Sequence, residues 1–342
     1  MFNNSVHRIG FACKYMHSDQ TQNKRTLEEI QRPLNTKSTT AQWLSRQSRS
    51  VAEQRLIDIM HHNIRSFHKL VYYVGNLPPR QRMVRLSSDV LPLYTHQDWR
   101  YFWRAPDVRA YCEKHFADVG RLAREYDVRL SMHPGQFTVL ASDDPEIVDR
   151  SIEEFEYHVD VARWMGFGKQ FQDFKINVHI SGRQGPDGIR EVLPWLSPEA
   201  RNTITIENDE NKWGIDHSLE LADECALVLD VHHHWCREGE YFARSDDRLK
   251  RIVDSWRGVR PVIHYSASRE DLLEGHCSQT LPDMQLLTSQ GHKKGKLRAH
   301  SDYMWNQALN EYVLEFLDIA DIMVESKMKN LASTALYRES IQ

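Results

Sequence analysis

The sequence predicts an α/β fold, a single (β/α)8 TIM barrel whose active site lies at the C-terminal face of its strands. Three observations predict it. Eight short β-prone runs succeed one another along the 342 residues. Most are separated by stretches with apolar residues at helical spacing, the pattern of a parallel sheet wound with helices. And six of the eight runs carry His, Asp or Glu at or within two residues of their last residue, as expected where such a barrel gathers its chemistry.

The first run is "HRIGFA" (7–12). A long connection over 14–82 follows. It must hold a helix at 38–66, in which Val51, Leu56, Ile59 and Met60 fall on one face. The second run is "MVRLSS" (83–88), followed by a helical stretch at 106–126. The third, "VRLSMH" (128–133), precedes a helical stretch at 145–165. "FKINVHI" (174–180), "TITIEN" (203–208) and "ALVLD" (226–230) come next, then a helix at 244–257 and "PVIHYS" (261–266). A polar loop insertion spans 267–304 and carries the basic run "GHKKGKLR" (291–298). A helical stretch at 305–319 leads to the last run, "DIMVES" (321–326). The sequence holds no internal repeat and no low-complexity tract, so 1–342 reads as one domain.

Composition narrows the class. Hydrophobic residues make up 40% and charged residues 27%, and the chain is long enough to bury a sizeable core. No apolar run approaches the ~20 residues that cross a bilayer. The start, "MFNNSVHRIG", lacks a basic stretch leading into an apolar one. These features predict a cytoplasmic protein without a membrane partner, and a monomer is expected. The five cysteines form no C-x-x-C pair and read as reduced thiols. The net charge of −4 argues against a general basic coat for nucleic acid, though not against a local patch.

The run ends carry the chemistry. The third has His133 at its end, the fourth His179, the fifth Glu207, the sixth Asp230, the seventh His264 and the eighth Glu325, each the last residue of its run or within two of it. One such residue is usually a cap or a satisfied core polar group. Six converging on one barrel face form a mixed imidazole and carboxylate set suited to Mn, Zn or Fe. Asp230 is followed by three histidines, in "ALVLDVHHHW". Side chains alternate along a strand, so Asp230 and His232 share a face if the strand continues. His233 joins Asp230 only if the strand stops there. His234 reads as surface or packing.

"RLSSDVLP" (85–92), "HPGQF" (133–137), "NVHISG" (177–182), "ENDE" (207–210), "LDVHHH" (229–234), "IHYS" (263–266), "HSDY" (300–303) and "DIMVESKMKNLA" (321–332) resemble, in this order, the motifs of the UV damage endonucleases. That family is similar in fold to endonuclease IV. The resemblance implies a barrel with three divalent ions, manganese being the usual metal. Its substrate is damaged double-stranded DNA, and the reaction is hydrolysis of the phosphodiester 5′ of a lesion. Cyclobutane pyrimidine dimers, 6-4 photoproducts and abasic sites are the implied lesions, with 3′-hydroxyl and 5′-phosphate ends. By the same resemblance His133, His179 and Glu207 hold one ion. Glu207, Asp230, His264 and Glu325 hold a second. His233, chosen over His232, joins His300 and the neighbouring Asp302 at a third. His96 is a further active-site histidine beside the first ion. Glu207 is the bridging carboxylate, and Glu207, His133, Asp230 and His264 carry the catalysis. Bound ions suit a diester, since they acidify water and stabilise the leaving oxygen.

Two departures stand out. The family often has Tyr where this chain has Phe11, which leaves an aromatic wall against DNA without a hydroxyl. Relatives can carry Lys where this chain has Val262. Lesion sensing falls to "HPGQF": Pro134-Gly135 predicts a tight turn just past His133, with Gln136 and Phe137 projecting as a wedge into a weakened base stack. Lys293, Lys294 and Lys296 are the best phosphate contacts as a group. Arg80, Arg82, Arg104, Lys327 and Lys329 are single candidates.

Three other readings compete. A sugar isomerase or epimerase on a metal-dependent barrel would need one or two ions, fewer than this ligand count suggests. A catalytically dead barrel would not keep a full ligand set. A plain abasic-site endonuclease is separated only by the motifs.

Overall fold

A computed structural model describes residues 3–341. Each predicted run contains a strand: β1 Ile9–Ala12, β2 Met83–Arg85, β3 Arg129–Met132, β4 Lys175–His179, β5 Ile204–Glu207, β6 Ala226–Val228, β7 Val262–Tyr265 and β8 Asp321–Val324. All pair in parallel, in the order β6-β5-β4-β3-β2-β1-β8-β7. The curled sheet closes where β6 meets β7. That seam holds an isolated bridge between Asp230 and His264 and the bond from the His264 N–H to Leu229 O, 2.9 Å. The fold is a (β/α)8 barrel.

The strand pleat sorts side chains to two faces. Ile9, Phe11, Val84, Leu130, Ile176, Ile206, Leu227, Ile263 and Val324 turn outward and join the main core under the helices. Ala12, Met83, Ala226, Val228, Val262 and Met323 form a separate apolar cluster together with Trp256. They share the inward parity of the strands. Gly10, also of inward parity, lets β1 approach β2, since a Cβ there would lie 2.5 Å from Met83 O.

The base of the barrel is sealed by charge. Asp321 is wholly buried. Its carboxylate accepts from Arg129 Nη1 at 2.7 Å, from Arg260 Nε at 2.9 Å and from the Arg8 backbone N–H at 2.8 Å. The first and last strands are thereby tied through one side chain.

The predicted helix at 38–66 divides. Residues 41–45 form one turn, then Ser48 caps a 27-residue helix, Arg49–Gly75. Its buried face is Ala52, Leu56, Ile59, Met60, Ile64, Phe67, Leu70, Val71 and Val74, whereas Val51 lies outside it and is exposed. Helices Pro106–Glu125, Pro145–Trp164 and Asp247–Ser255 stand where periodicity placed them, and 305–319 contains Gln307–Leu314. The loop 267–304 folds against the barrel through Leu273, Met284, Leu287 and Leu297, packed on Trp235. Among the described residues no helix is long and apolar enough to cross a membrane.

Candidate metal centre

Glu207 ends β5 and is 1% exposed. Asn177, two residues before His179 on β4, donates to Glu207 Oε2. Thr205 Oγ1 donates to Asn177 Oδ1 at 2.8 Å, which fixes the amide so that its NH2 faces the carboxylate. Burial works to raise the Glu207 pKa. The facing charges of His264 and His179 and the bonds from His133 and His264 overcome it and hold the carboxyl well below its ordinary range.

His133 follows β3. Its Nδ1 lies 2.8 Å from Pro134 O, and its Nε2 lies 3.3 Å from Glu207 Oε2. Burial pushes its pKa down to about 4, so the ring is neutral and available as a ligand. The His179 ring lies beside it, with centroids 4.9 Å apart.

The strand question at Asp230 has a definite answer. β6 stops at Val228, and Asp230 becomes the N-cap of the helix Val231–Glu238. Its Oδ1 accepts the His233 N–H at 2.7 Å, the usual satisfaction of a free helix donor. This turn brings His233 back over the site, with Nδ1 3.5 Å from Glu207 Oε1. His232 instead stacks on Trp235, and His234 is buried against Phe242. Asn208 holds the turn by accepting the Asp230 N–H at 2.8 Å and donating to Asp230 O at 3.1 Å.

His264 on β7 is wholly buried. Its Nδ1 lies 3.1 Å from both Glu207 Oε1 and Glu325 Oε1. Glu325, just past β8, accepts from Arg85 Nη1. Burial raises the Asp230 carboxyl to about 8, aided by the charges of Glu207 and Glu325. Burial opposes protonation of His233, yet Asp230, Glu207 and Glu210 outweigh it. Four groups of donors within 4.8 Å of one another result: His133-His179-Glu207, His179-Glu210-His233, Glu207-Asp230-His233 and Asp230-His264-Glu325. Asp230 Oδ2 is buried with no hydrogen-bond partner. An orphaned buried carboxylate oxygen among crowded carboxylates, with only N and O donors around it, fits divalent cations.

The six strand-end residues and His233 are therefore brought together. Three further candidates are not, and the first, Asp302, faces Lys327 Nζ at 3.6 Å and belongs to no donor group among the described residues. His300 turns its Nδ1 to Glu325 O at 2.6 Å, and its ring lies 5.7 Å from that of His232. His96 lines a cavity of ≈650 Å³ with Tyr94, Arg100, Arg150 and Glu154. Its Nδ1 accepts the Asp98 N–H at 3.3 Å. Neither belongs to a donor group among the described residues.

Phe11 needs correction. It is 1% exposed and packs in the core beneath the helices, because strand parity turns it away from the barrel mouth. It offers DNA no wall. Arg80 and Arg82 precede β2 and so stand at the N-terminal end of the strands. Arg82 donates to Leu77 O and Tyr126 O.

The turn after His133 lies one residue later than predicted. The Thr138 N–H donates to Gly135 O at 2.9 Å, so Gln136 and Phe137 form its tip. Both are exposed, Phe137 to 85%. Lys293, Lys294 and Lys296 are exposed. Lys294 Nζ donates to Arg237 O at 3.0 Å, and Arg298 pairs with Glu210 at 3.0 Å, placing the basic run beside the loop that follows β5.

Sequence reasoning missed Arg85, Lys175, Asn177, Asn208 and Glu210. Lys175 is buried, with Nζ 2.8 Å from His264 Nε2. Burial pushes its amine down to about 7 against the pull of Glu207.

A family model described as UV-endonuclease UvdE matches residues 7–342. A protein named UV DNA damage endonuclease from Bacillus velezensis is 27% identical over 306 residues, covering 85% of this chain and 84% of its own. Its namesake from Bacillus cereus (strain ATCC 10987) is 26% identical over 317 residues, covering 88% and 87%. Among solved structures, SacUVDE superposes with a TM-score of 0.70 at 21% identity, covering 97% of each chain. Endonuclease IV from Thermus thermophilus gives 0.50 at 14% identity, covering 82% of this chain and 93% of that one. The chain belongs to the UV-endonuclease UvdE family.

Proposed function

We propose that this enzyme is a metal-dependent DNA repair endonuclease that hydrolyses the phosphodiester 5′ of UV lesions in double-stranded DNA. The substrates in this reading are cyclobutane pyrimidine dimers, 6-4 photoproducts and abasic sites, and the products carry 3′-hydroxyl and 5′-phosphate ends. Three manganese ions, a monomeric enzyme and a cytoplasmic setting complete the reading. One observation carries it: side chains from six strands converge in overlapping groups whose donor atoms lie within 4.8 Å of one another.

When bound, divalent ions supply acidification of water and charge neutralisation at the phosphate. The chain's own residues do the rest. Glu207, held ionised, is shared by the His133-His179 and the Asp230-His233 groups and so fixes their separation. Burial favours the uncharged form of His133 and His264, which leaves them a lone pair for a cation. Glu325, and Asp230 once a bound cation displaces its proton, supply the negative charge that a polycationic centre needs. Phe137 and Gln136 stand outside the centre and probe the duplex. Lys293, Lys294 and Lys296 hold the backbone by charge.

The test is to incubate purified protein with manganese and supercoiled plasmid, irradiated or intact. Nicked circles are expected only from irradiated DNA and only without chelator. Equal nicking of both plasmids would refute lesion specificity, and activity in excess chelator would refute the metal dependence. Duplexes with a single dimer or a single abasic site separate this reading from a plain abasic-site endonuclease.

A further inference from the structure

The geometry points to Lys175 as the residue that positions the β7 metal ligand: it holds Nε2 of His264 and thereby presents Nδ1 to the ion shared with Asp230 and Glu325. This rests on the metal centre of the proposed function and goes beyond its ligand sets.

His264 has two ring nitrogens, and only one can face the carboxylates. Glu207 Oε1 and Glu325 Oε1 both lie 3.1 Å from Nδ1. The opposite nitrogen lies 2.8 Å from Lys175 Nζ. The ring is wholly buried and Lys175 is 2% exposed, so neither has water as an alternative partner. A ligating histidine commonly uses its second nitrogen to bind an outer group that sets its orientation. Here that group is the Lys175 amine reaching in from β4, whose lone pair accepts from Nε2–H so that Nδ1 keeps its own lone pair for the ion.

Packing does not demand a lysine at 175. On its own strand Lys175, Asn177 and His179 share the inward parity; the ladder partner of Lys175 on β3 is the small Ser131, and the inward residues of β6 to β8 include the apolar Val228, Val262 and Met323. A methionine has nearly the same length and would suit such neighbours. Burying an amine there is costly unless it is bonded, and the bond to His264 is the one side-chain hydrogen bond of Lys175 among the described residues. The cost is thus carried for His264. Arg85 grips the neighbouring ligand Glu325 from β2, so two basic residues frame the ligand set of this ion, while the His133-His179-Glu207 group has Asn177 as its outer partner.

The two roles open to Lys175, positioning and packing, differ in what Lys175→Met does. We would measure Mn2+ binding by equilibrium dialysis against free Mn2+, and the melting temperature of the metal-stripped protein. Loss of positioning weakens one Mn2+ step by about 10- to 100-fold, leaves the other steps in place and does not lower the metal-stripped melting temperature. Lys175→Gln, which keeps a polar head, recovers part of that step. Unchanged Mn2+ binding by Lys175→Met overturns the inference. So does a loss of every step together with a lower metal-stripped melting temperature, which marks a packing role. A wild-type protein that takes up no Mn2+ would instead overturn the metal centre itself.

Discussion

Phe137 offers a separation of binding from folding. Its ring is 85% exposed at the tip of the Gly135–Thr138 turn, so truncation removes almost no buried surface. Phe137→Ala is expected to change folding stability by no more than about 0.5 kcal/mol, as for an ordinary surface site. Metal content is expected to be unchanged, since the ring offers no ligand atom. Binding is different. Stacking of a base on an aromatic ring is worth about 1–3 kcal/mol, which is roughly 5- to 150-fold in Kd. That loss should appear only where the duplex already yields. Intact duplex is expected to be held by phosphate contacts, which carry no such dependence. The assay is a fluorescence anisotropy titration of two duplexes, one with a single cyclobutane dimer, with calcium replacing manganese to hold back cleavage. The expected result is a 5- to 150-fold loss on the damaged duplex and little change on the intact one. An equal loss on both would show that Phe137 is part of general DNA contact, and that selectivity arises elsewhere.

Three more outcomes follow from the geometry. Glu207→Gln removes the carboxylate shared by two donor groups and is expected to abolish plasmid nicking while circular dichroism stays native; turnover by the folded variant would show that Glu207 is not the bridge. Asp321→Ala leaves Arg129 and Arg260 at the barrel base without their carboxylate and should cost about 3–5 kcal/mol in urea denaturation. His158 is wholly buried with its pKa lowered to about 4 from about 6.5 unfolded. Its contribution is therefore full above pH 6.5 and is lost as pH falls toward 4, by up to about 3 kcal/mol. His158→Leu should flatten the melting curve across that window, and parallel wild-type and variant curves would refute the assignment.

Much of this site was legible in the sequence because a residue at or just past the C-terminal end of a barrel strand is both chemically conspicuous and geometrically placed. His133, His179, Glu207, Asp230, His264 and Glu325 needed only the fold class to be placed together. The residues one pleat lower were readable in principle. In "KINVH" the polar residues Lys175, Asn177 and His179 alternate with the apolar Ile176 and Val178, and that alternation assigns all three to the interior. The same parity in "IGFA" sends Phe11 outward. Its error came from following the family pattern in place of the pleat. His300 and His96 stand on loops, where no periodicity fixes direction, and Glu210 reaches His233 only through the loop that follows β5.

The way the barrel closes has a consequence for its dynamics. Seven strand pairs carry regular ladders, but between β6 and β7 the isolated bridge is Asp230 to His264. Those two residues also stand in donor groups of the candidate centre. The sheet therefore closes at the place where cations would bind, and ions bound there are expected to strengthen that seam. Backbone amides that open locally exchange with solvent at rates set by that local stability. Stripping the ions is expected to speed deuterium uptake at the amide of His264 and its neighbours on β7, while amides in the β3–β4–β5 ladders keep their protection. The enzyme would then have a slit along one wall, whose opening reports how full its metal centre is.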